Sequence, residues 1–283
     1  MGDHVLRFDL ITLFPDMADA ITRHGITARA LQRGLWQLRC WNPRDFTRDA
    51  WKTVDDRPYG GGPGMVMLAQ PLAETIAAVR ADRLGAGMGE GTGEGTGEGT
   101  GEGTGEGTGE GTGAGAAPVI ALSPQGKRFT DARARELALS SGAILIAGRY
   151  EAIDQRLLDR YVDDEWSIGD FVVSGGELPA MMVMDAAVRH LPGALNDSTS
   201  AEQESFAAGI LDCPHYTRPE LFEDLSVPEV LLSGHHVRIS RWRREQALLA
   251  TLRKRPDLLE AARRDGRLSA ADEAFISGQV LPR

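Results

Sequence analysis

The fold class is decided by residues 118–151, PVIALSPQGKRFTDARARELALSSGAILIAGRYE. Apolar and polar segments alternate along this stretch. The apolar run 118–122 predicts a short strand, and Ser-Pro-Gln-Gly at 123–126 predicts a loop. A helix is predicted over 130–141, and a second apolar strand over 143–147 leads into another loop. Strands that alternate with helices indicate an α/β fold whose parallel sheet is covered by helices on both faces.

The residues on the N-terminal side continue this alternation. The β-branched and apolar run 5–14 predicts a strand. A helix is expected to run to about His24 and to stop at Gly25, and a second helix is expected to end near Gly34. Residues 35–41 then predict another strand.

On the C-terminal side, a loop over 166–176 surrounds the short apolar run 171–173. A helix is expected to open near Pro179 and to end at Pro192-Gly193. Beyond this helix the polar segment 196–205 has no periodicity and reads as a linker.

The last part of the chain looks small and helical. A helix of roughly twenty residues is expected to begin near His236. Ser269 to Asp272 forms a capping-box variant that predicts the start of a last helix.

Three loops of unusual composition are expected to meet at one edge of the sheet. The loops at 123–126 and 148–151 directly follow predicted strands, and the third surrounds residues 171–173. Ligands of open α/β sheets bind in the crevice at the carboxyl ends of the strands. The sequence therefore predicts a ligand site built from these three loops.

Composition limits the class of protein. The chain has 283 residues, of which 42% are hydrophobic, enough for one large domain or two smaller ones. It contains no apolar run of eighteen residues and no visible secretion signal, so we expect a cytoplasmic protein without a membrane span. Cys40 and Cys213 lack the spacing of a zinc site or a disulfide, and we expect two reduced thiols.

The net charge of −10 is unevenly distributed. Gly-Glu-Gly-Thr repeats six times over residues 89–112, and its six glutamates leave only −4 for the rest of the chain. Such a tract has no apolar face to bury, so we expect a disordered surface insertion. By contrast, residues 236–256 carry seven Arg and Lys residues against one acidic residue, which suits phosphate binding.

Two glycine-rich segments carry ambiguous signals. The first covers residues 55–64 and reads Asp-Asp-Arg-Pro-Tyr-Gly-Gly-Gly-Pro-Gly. It matches neither a Walker loop nor a dinucleotide-binding fingerprint, and it is as typical of a structural loop as of a ligand-binding site. Residues 167–179 could wrap an adenine ring, or could form only a tight turn between a strand and a helix.

The charged residues considered singly have ordinary explanations. Arg189 lies four residues after Asp185 and could form a helical ion pair, and Glu204 lies in a polar linker. The histidines show no metal-binding spacing, and no serine or cysteine lies in the sequence context of a nucleophile. The residues themselves therefore indicate a crevice, a basic helical appendage and transfer chemistry, without naming the donor.

Six motifs resemble those of one family, the bacterial tRNA (guanine-N1)-methyltransferases of the TrmD family. They follow in the family's order from the N-terminal strand to the last helices, interrupted only by the acidic tract. The motifs are DDRPYGGGPGM (55–65), LSPQG (122–126), GRYE (148–151), SIGD (167–170), SGGELPA (174–180) and PHYTRP (214–219).

The resemblance implies a trefoil-knotted SPOUT-type methyltransferase domain over 1–195, an interdomain linker over 196–209 and a helical tRNA-binding domain over 210–283. It implies a homodimer with the active site at the subunit interface. The methyl donor would be S-adenosyl-L-methionine and the substrate the anticodon arm of tRNA. The family is reported to use Mg²⁺, for which the sequence offers no dedicated site.

The resemblance also implies roles for individual residues. Arg189 would stabilise charge on the guanine oxygen, and Glu204 would remove the ring proton. The cofactor would be bound by Pro124, Gly148, Tyr150, Glu151, Ser167, Ile168, Gly169, Asp170, Phe171, Val172, Val173, Gly175, Gly176 and Pro179. The tRNA would be bound by Arg218, Arg238, Arg241 and Arg243.

Three positions depart from the family pattern. Glu204 stands where aspartate is usual, Phe171 where tyrosine is common, and Ala152 where glycine is common. The implied reaction is methylation at N1 of guanosine 37, beside the anticodon. The competing hypotheses are a knotted methyltransferase acting on another RNA and a non-enzymatic RNA-binding protein.

Overall fold

The computed structural model describes residues 5–86, 117–195 and 204–279. The acidic tract at 89–112 and most of the expected linker lie outside these residues. The chain divides into two compact units, Met1–Ala194 and Leu195–Arg283. Within the described residues, no helix combines the length and the apolar character that crossing a bilayer requires.

The first unit is built on a parallel five-stranded sheet. Its strands are β1 (Leu6–Ile11), β2 (Trp36–Trp41), β5 (Val119–Arg128), β6 (Gly142–Ala147) and β8 (Asp164–Ser167), in the order β2-β1-β6-β5-β8. Every pair of neighbouring strands is parallel. The predicted α/β class with a mostly parallel sheet is confirmed.

Helices cover the sheet, and a small sheet lies beside it. The helices of this unit are α1 (Asp19–Thr22), α2 (Gly25–Gln32), α3 (Ala69–Ala86), α4 (Asp131–Ala138), α5 (Gln155–Tyr161) and α6 (Glu177–Val188), with 3-10 turns at Pro15–Ala18 and Pro43–Phe46. The small sheet joins β3 (Asp55–Asp56), β4 (Val66–Met67) and β7 (Ala152–Ile153), in that order.

The central strand β6 divides the core into two layers. All six of its residues are buried. Ala143 and Leu145 pack in the layer that contains α4 and α6, and Ile144 and Ile146 in the layer that contains α3 and α5. A strand buried on both faces reads as a continuous apolar run, which is why its position was clear from the sequence.

The second unit is formed mainly by helices. They are α7 (Glu229–Leu232), α8 (His236–Lys254), α9 (Pro256–Arg264) and α10 (Ala270–Ser277), preceded by the hairpin of β9 (Leu221–Phe222) and β10 (Leu225–Ser226). The predicted long helix near His236 is present, and Ser269 and Asp272 form the expected capping box. The hairpin was not predicted.

Several predicted boundaries were wrong. Gly25 begins α2 with a φ of +74° and does not end a preceding helix. Residues 123–126 form a bulge within β5, which resumes at Lys127 opposite Trp166. Helix α6 ends at Val188, short of the expected end at Pro192-Gly193.

Candidate functional site

The three loops singled out in the sequence line one cavity of about 440 Å³. The bulge of β5 contributes Pro124, the loop after β6 contributes Gly148, and the segment after β8 runs along the remaining wall. The volume lies within the range of cavities that bind small organic ligands. The position is the carboxyl edge of a parallel sheet, where such ligands are expected.

Thirteen of the fourteen residues predicted to bind a cofactor line this cavity. They are Pro124, Gly148, Tyr150, Glu151, Ser167, Ile168, Gly169, Phe171, Val172, Val173, Gly175, Gly176 and Pro179. The remaining residue, Asp170, does not line it. Its exposed carboxylate accepts a hydrogen bond from Arg128 at 2.9 Å, so the side chain of Asp170 points away from the cavity and forms a surface ion pair.

Close backbone contacts explain two glycines, Gly176 in the cavity wall and Gly126 directly after the bulge residues that line it. A Cβ atom on Gly126 would lie 2.4 Å from the carbonyl carbon of Glu165, which would force β5 and β8 apart. A Cβ atom on Gly176 would lie 2.6 Å from Cα of Ala147, and the Gly176 amide donates to the Gly148 carbonyl at 2.8 Å. These contacts hold the loops against one another.

A buried charged network lies beneath the cavity wall, and the sequence did not reveal it. Glu177, at the start of α6, is 1% exposed. Its carboxylate accepts hydrogen bonds from Arg149 Nε at 2.8 Å and from the Thr12 hydroxyl at 2.9 Å. The same guanidinium donates to the Ser174 carbonyl and lies 4.4 Å from the centroid of the Phe14 ring.

This network joins the loop after β6, the segment after β8 and the start of α6 to the end of β1. Arg149 belongs to the loop after β6, Ser174 to the segment after β8, and Thr12 follows β1 directly. The available sequence signal was Glu177, a charged residue within a helix that is otherwise almost entirely apolar. A buried charge is retained only where it is paired, so a buried Glu177 predicts a hydrogen-bonding or cationic partner elsewhere in the fold.

The ambiguous glycine-rich segment lies beside the cavity. Strand β4 pairs with β7, and the Glu151 amide donates to the Met65 carbonyl at 3.0 Å. Burial and a hydrogen bond with Asp55 raise the pKa of the Tyr150 hydroxyl. Tyr59, at the tip of the segment, is fully exposed, so residues 57–64 form an open rim next to the cavity.

Arg189 caps the C-terminal end of α6 and does not line the cavity. Its amide donates to the Asp185 carbonyl at 3.2 Å. Burial raises the pKa of the Asp185 carboxyl, and the positive charge of Arg189 opposes that shift. Leu178 and Met182 lie on the same helical stripe as Asp185 and Arg189, and they are about half exposed.

Glu204 belongs to the second unit and is half-buried. Its carbonyl accepts a hydrogen bond from Ala207 at 3.3 Å. The following residue, Ser205, accepts one from the Asp212 amide at 3.0 Å. Phe206 has a φ of +76° and is held by a 2.8 Å bond to the Ile210 carbonyl. The described end of the linker is therefore an anchored turn.

The arginines of α8 differ in their surroundings. Arg241 pairs with Glu245 at 2.9 Å, and Arg244 binds both oxygens of Asp272 at 3.1 Å. Arg244 thus fastens α8 to α10, so this member of the basic segment has a structural partner. None of the ion pairs within 5–86, 117–195 and 204–279 involves Arg218, Arg238 or Arg243.

A group of possible metal ligands lies near the end of the linker. Side-chain atoms of Asp212, Cys213 and His215 come within 4.8 Å of one another. Asp212 already accepts hydrogen bonds from the Cys213 amide and from His215. Burial raises the pKa of the Cys213 thiol, which disfavours the thiolate that a metal would need. We assign no metal to this group.

Comparison with known proteins agrees with the motifs. A family model described as tRNA (Guanine-1)-methyltransferase TrmD matches residues 6–94 and 109–261, so the gap between the matched segments falls in the acidic repeat. Similar proteins named tRNA (guanine-N(1)-)-methyltransferase occur in Cupriavidus necator, Bordetella parapertussis and Burkholderia mallei. They are 55%, 54% and 53% identical over 96% of this chain and over 95%, 97% and 93% of their own lengths. Since the match includes every cavity loop, the resemblance is confirmed, and the chain belongs to the TrmD family of tRNA (guanine-1)-methyltransferases.

Proposed function

We propose that this protein transfers a methyl group from S-adenosyl-L-methionine to N1 of guanosine 37 in tRNA. The observation that carries the proposal is the convergence of the three family loops on one cavity at the carboxyl edge of the sheet. The names of the relatives supply the tRNA substrate and the methylated nitrogen.

The cavity suits the methyl donor. Its wall combines apolar side chains such as Ile168 and Val173 with backbone groups of a glycine-containing segment, a combination that can hold an adenine ring and read its edge. Bound S-adenosylmethionine would supply an electrophilic methyl group on a sulfonium. Phe171 lacks the hydroxyl of the tyrosine that is common at this position, so the site loses at most one polar contact.

Two residues would carry the proton and the charge. Attack by N1 of guanine requires loss of its proton, and we assign that step to the Glu204 carboxylate. Negative charge then develops toward the ring oxygen, where the Arg189 guanidinium would stabilise it. A direct transfer needs no covalent enzyme intermediate.

The exposed stripe of α6 supports a homodimer with the site at its interface. Leu178 is 47% exposed and Met182 is 53% exposed, on the face that also carries Arg189. Large apolar side chains exposed together on one helix face are typical of a protein interface. A second copy packed on this face would bring its own residues next to Arg189.

We infer the trefoil knot and the functions of the two domains from membership of the family. The return of the chain from the edge strand β8 to Gly148 at the end of β6 is compatible with a threaded loop. We assign methyl transfer to 1–195, the linker to 196–209 and the grip on the tRNA anticodon arm to 210–283. A protein that acts on tRNA would work in the cytoplasm.

Magnesium has no preformed site in the part of the chain that the structure describes. Glu151 and Glu165 line the cavity and offer the oxygen ligands that Mg²⁺ prefers, but among the described residues no group of three or more possible metal ligands includes them. We derive no step through the ion.

The proposal predicts methylation of one nucleotide. Incubation with labelled S-adenosylmethionine and unmodified tRNA transcripts should label the RNA and produce a reverse-transcription stop at guanosine 37, because N1 lies on the base-pairing edge. A transcript with adenosine at position 37 is the control and should remain unlabelled. A stop elsewhere would indicate an enzyme for another RNA site, and cofactor binding without turnover would indicate a binding protein.

The basic helix predicts a change in salt dependence. Replacing both Arg238 and Arg243 with glutamine should lower the slope of log affinity for tRNA against log salt by roughly 0.7–0.9 for each phosphate that is no longer neutralised. Arg263→Gln is the matched control, since that guanidinium pairs with Glu273 at 2.7 Å. An unchanged slope in the double variant would make these arginines an ordinary solvated helix face.

A further inference from the structure

A second cavity, of about 540 Å³, lies within the second unit. Its walls are the PHYTRP segment at 214–219, the short helix α7 and the first turns of α8. The aliphatic side chains of the lining include Val227, Leu231, Leu232 and Ile239. The family motif PHYTRP lies far along the chain from the first cavity's loops, and among its residues only Arg218 has so far been given an expected role.

An aromatic pair occupies one wall. The ring centroids of Tyr216 and Trp242 lie 6.2 Å apart, and their planes are tilted by 54°. This arrangement leaves no room for a flat ligand between the two rings. Trp242 is partly buried and supports Tyr216 from one side, whereas Tyr216 is 49% exposed. The available surface is therefore the outer face of the tyrosine ring.

The polar groups of the cavity are arranged for an anionic ligand with a flat, apolar body. Arg218 and Arg243 both line it, and neither takes part in an ion pair within the three described segments. A guanidinium without a carboxylate partner is well suited to a phosphate. Thr217 and Glu220 add an hydroxyl and a carboxylate that can hydrogen-bond to the edge of a base.

We propose that this cavity binds one unstacked nucleotide of the tRNA anticodon loop. Its base stacks on Tyr216, and its phosphate lies against Arg218 and Arg243. Proteins recognise single-stranded RNA by this combination of aromatic stacking and cationic contacts, and loop bases are the ones that can be splayed out. The inference rests on the proposed tRNA substrate and places a second nucleotide contact outside the methylation site.

The test compares tRNA affinity between Tyr216→Ala, Tyr216→Phe and wild type, each as the full chain. Loss of a stacked base weakens binding by about 5-fold to 150-fold, so Tyr216→Ala should bind tRNA that much more weakly. Tyr216→Phe keeps the ring and should bind like wild type, which separates stacking from misfolding. Phe222→Ala is the matched control, because this aromatic of the same unit is 63% exposed and lies outside the cavity.

A set of transcripts with one abasic position each in the anticodon loop identifies the base. For one of these transcripts, loss of the base should weaken binding to the wild-type protein relative to the intact transcript. Tyr216→Ala should bind that transcript no more weakly than wild type does, since the abasic position and the substitution remove the same stacking interaction. Additive effects at every position, or unchanged affinity of Tyr216→Ala, would overturn the inference. A wild-type protein that fails to methylate tRNA would instead overturn the proposed function, so the two failures are distinguishable.

Discussion

Glu204→Gln is expected to lower the single-turnover rate of methyl transfer to tRNA by roughly a hundredfold or more, the usual contribution of an acid–base group. The amide keeps the size of the side chain and cannot accept the N1 proton. Binding of S-adenosylmethionine should be unchanged, because Glu204 does not line the cofactor cavity. Isothermal titration with the cofactor and rapid-quench measurement with tRNA separate the two effects.

The turn around Glu204 makes two variants informative. Ser205 and Phe206 are fixed by bonds to Asp212 and Ile210, so Glu204→Asp should change mainly the reach of the carboxylate and should keep substantial activity. Glu202→Gln, two residues earlier, is the matched control and should be nearly silent. A Glu204→Gln enzyme that turns over tRNA at close to the wild-type rate would remove Glu204 from the mechanism.

Much of the sheet and the membership of the cavity could be predicted from sequence. The strand β6 is buried on both faces and therefore reads as an uninterrupted apolar run. The loops at its end and after β8 carry the family motifs, so their convergence followed from the topology of parallel sheets. Asp170 was the exception, because a motif does not reveal that one of its side chains points away to pair with Arg128.

The misplaced boundaries have local physical causes. Gly25 looked like a helix stop because its preference for positive φ fits the end of a helix, but the same freedom lets it open α2. Residues 123–126 have the composition of a loop, and only the resumed pairing of Lys127 with β8 makes them a bulge. The hairpin of β9 and β10 is too short to show a strand pattern.

The polar network was beyond the sequence because it joins distant residues. Thr12 and Glu177 are 165 positions apart, and nothing local to either indicates the other. Likewise, the sequence does not distinguish Arg244 from its neighbours on α8, because its partner Asp272 lies 28 positions further along the chain. The fold decides which residues of different helices and strands form hydrogen bonds or ion pairs. The hydrophobic pattern of the sequence indicates only which face of a helix or strand is buried.

Glu177→Ala is expected to destabilise the first unit by about 3–5 kcal/mol, because it leaves the half-buried Arg149 guanidinium without its carboxylate partner. The cost arises from an uncompensated charge, and the hydroxyl of Thr12 loses its acceptor as well. Since Arg149 also donates to the Ser174 carbonyl, the cavity wall should loosen and the affinity for S-adenosylmethionine should fall. Urea unfolding with and without the cofactor measures both effects.

Asp170→Asn supplies the comparison for Glu177→Ala, because it removes the ion pair between Asp170 and Arg128, two exposed side chains. Surface pairs of this kind contribute little to stability, so its unfolding midpoint should stay close to wild type. The double variant Arg149→Met/Glu177→Leu removes both charges and should recover part of the lost stability without recovering cofactor affinity. Equal midpoints for Glu177→Ala and Asp170→Asn would show that the buried network does not hold the cavity together.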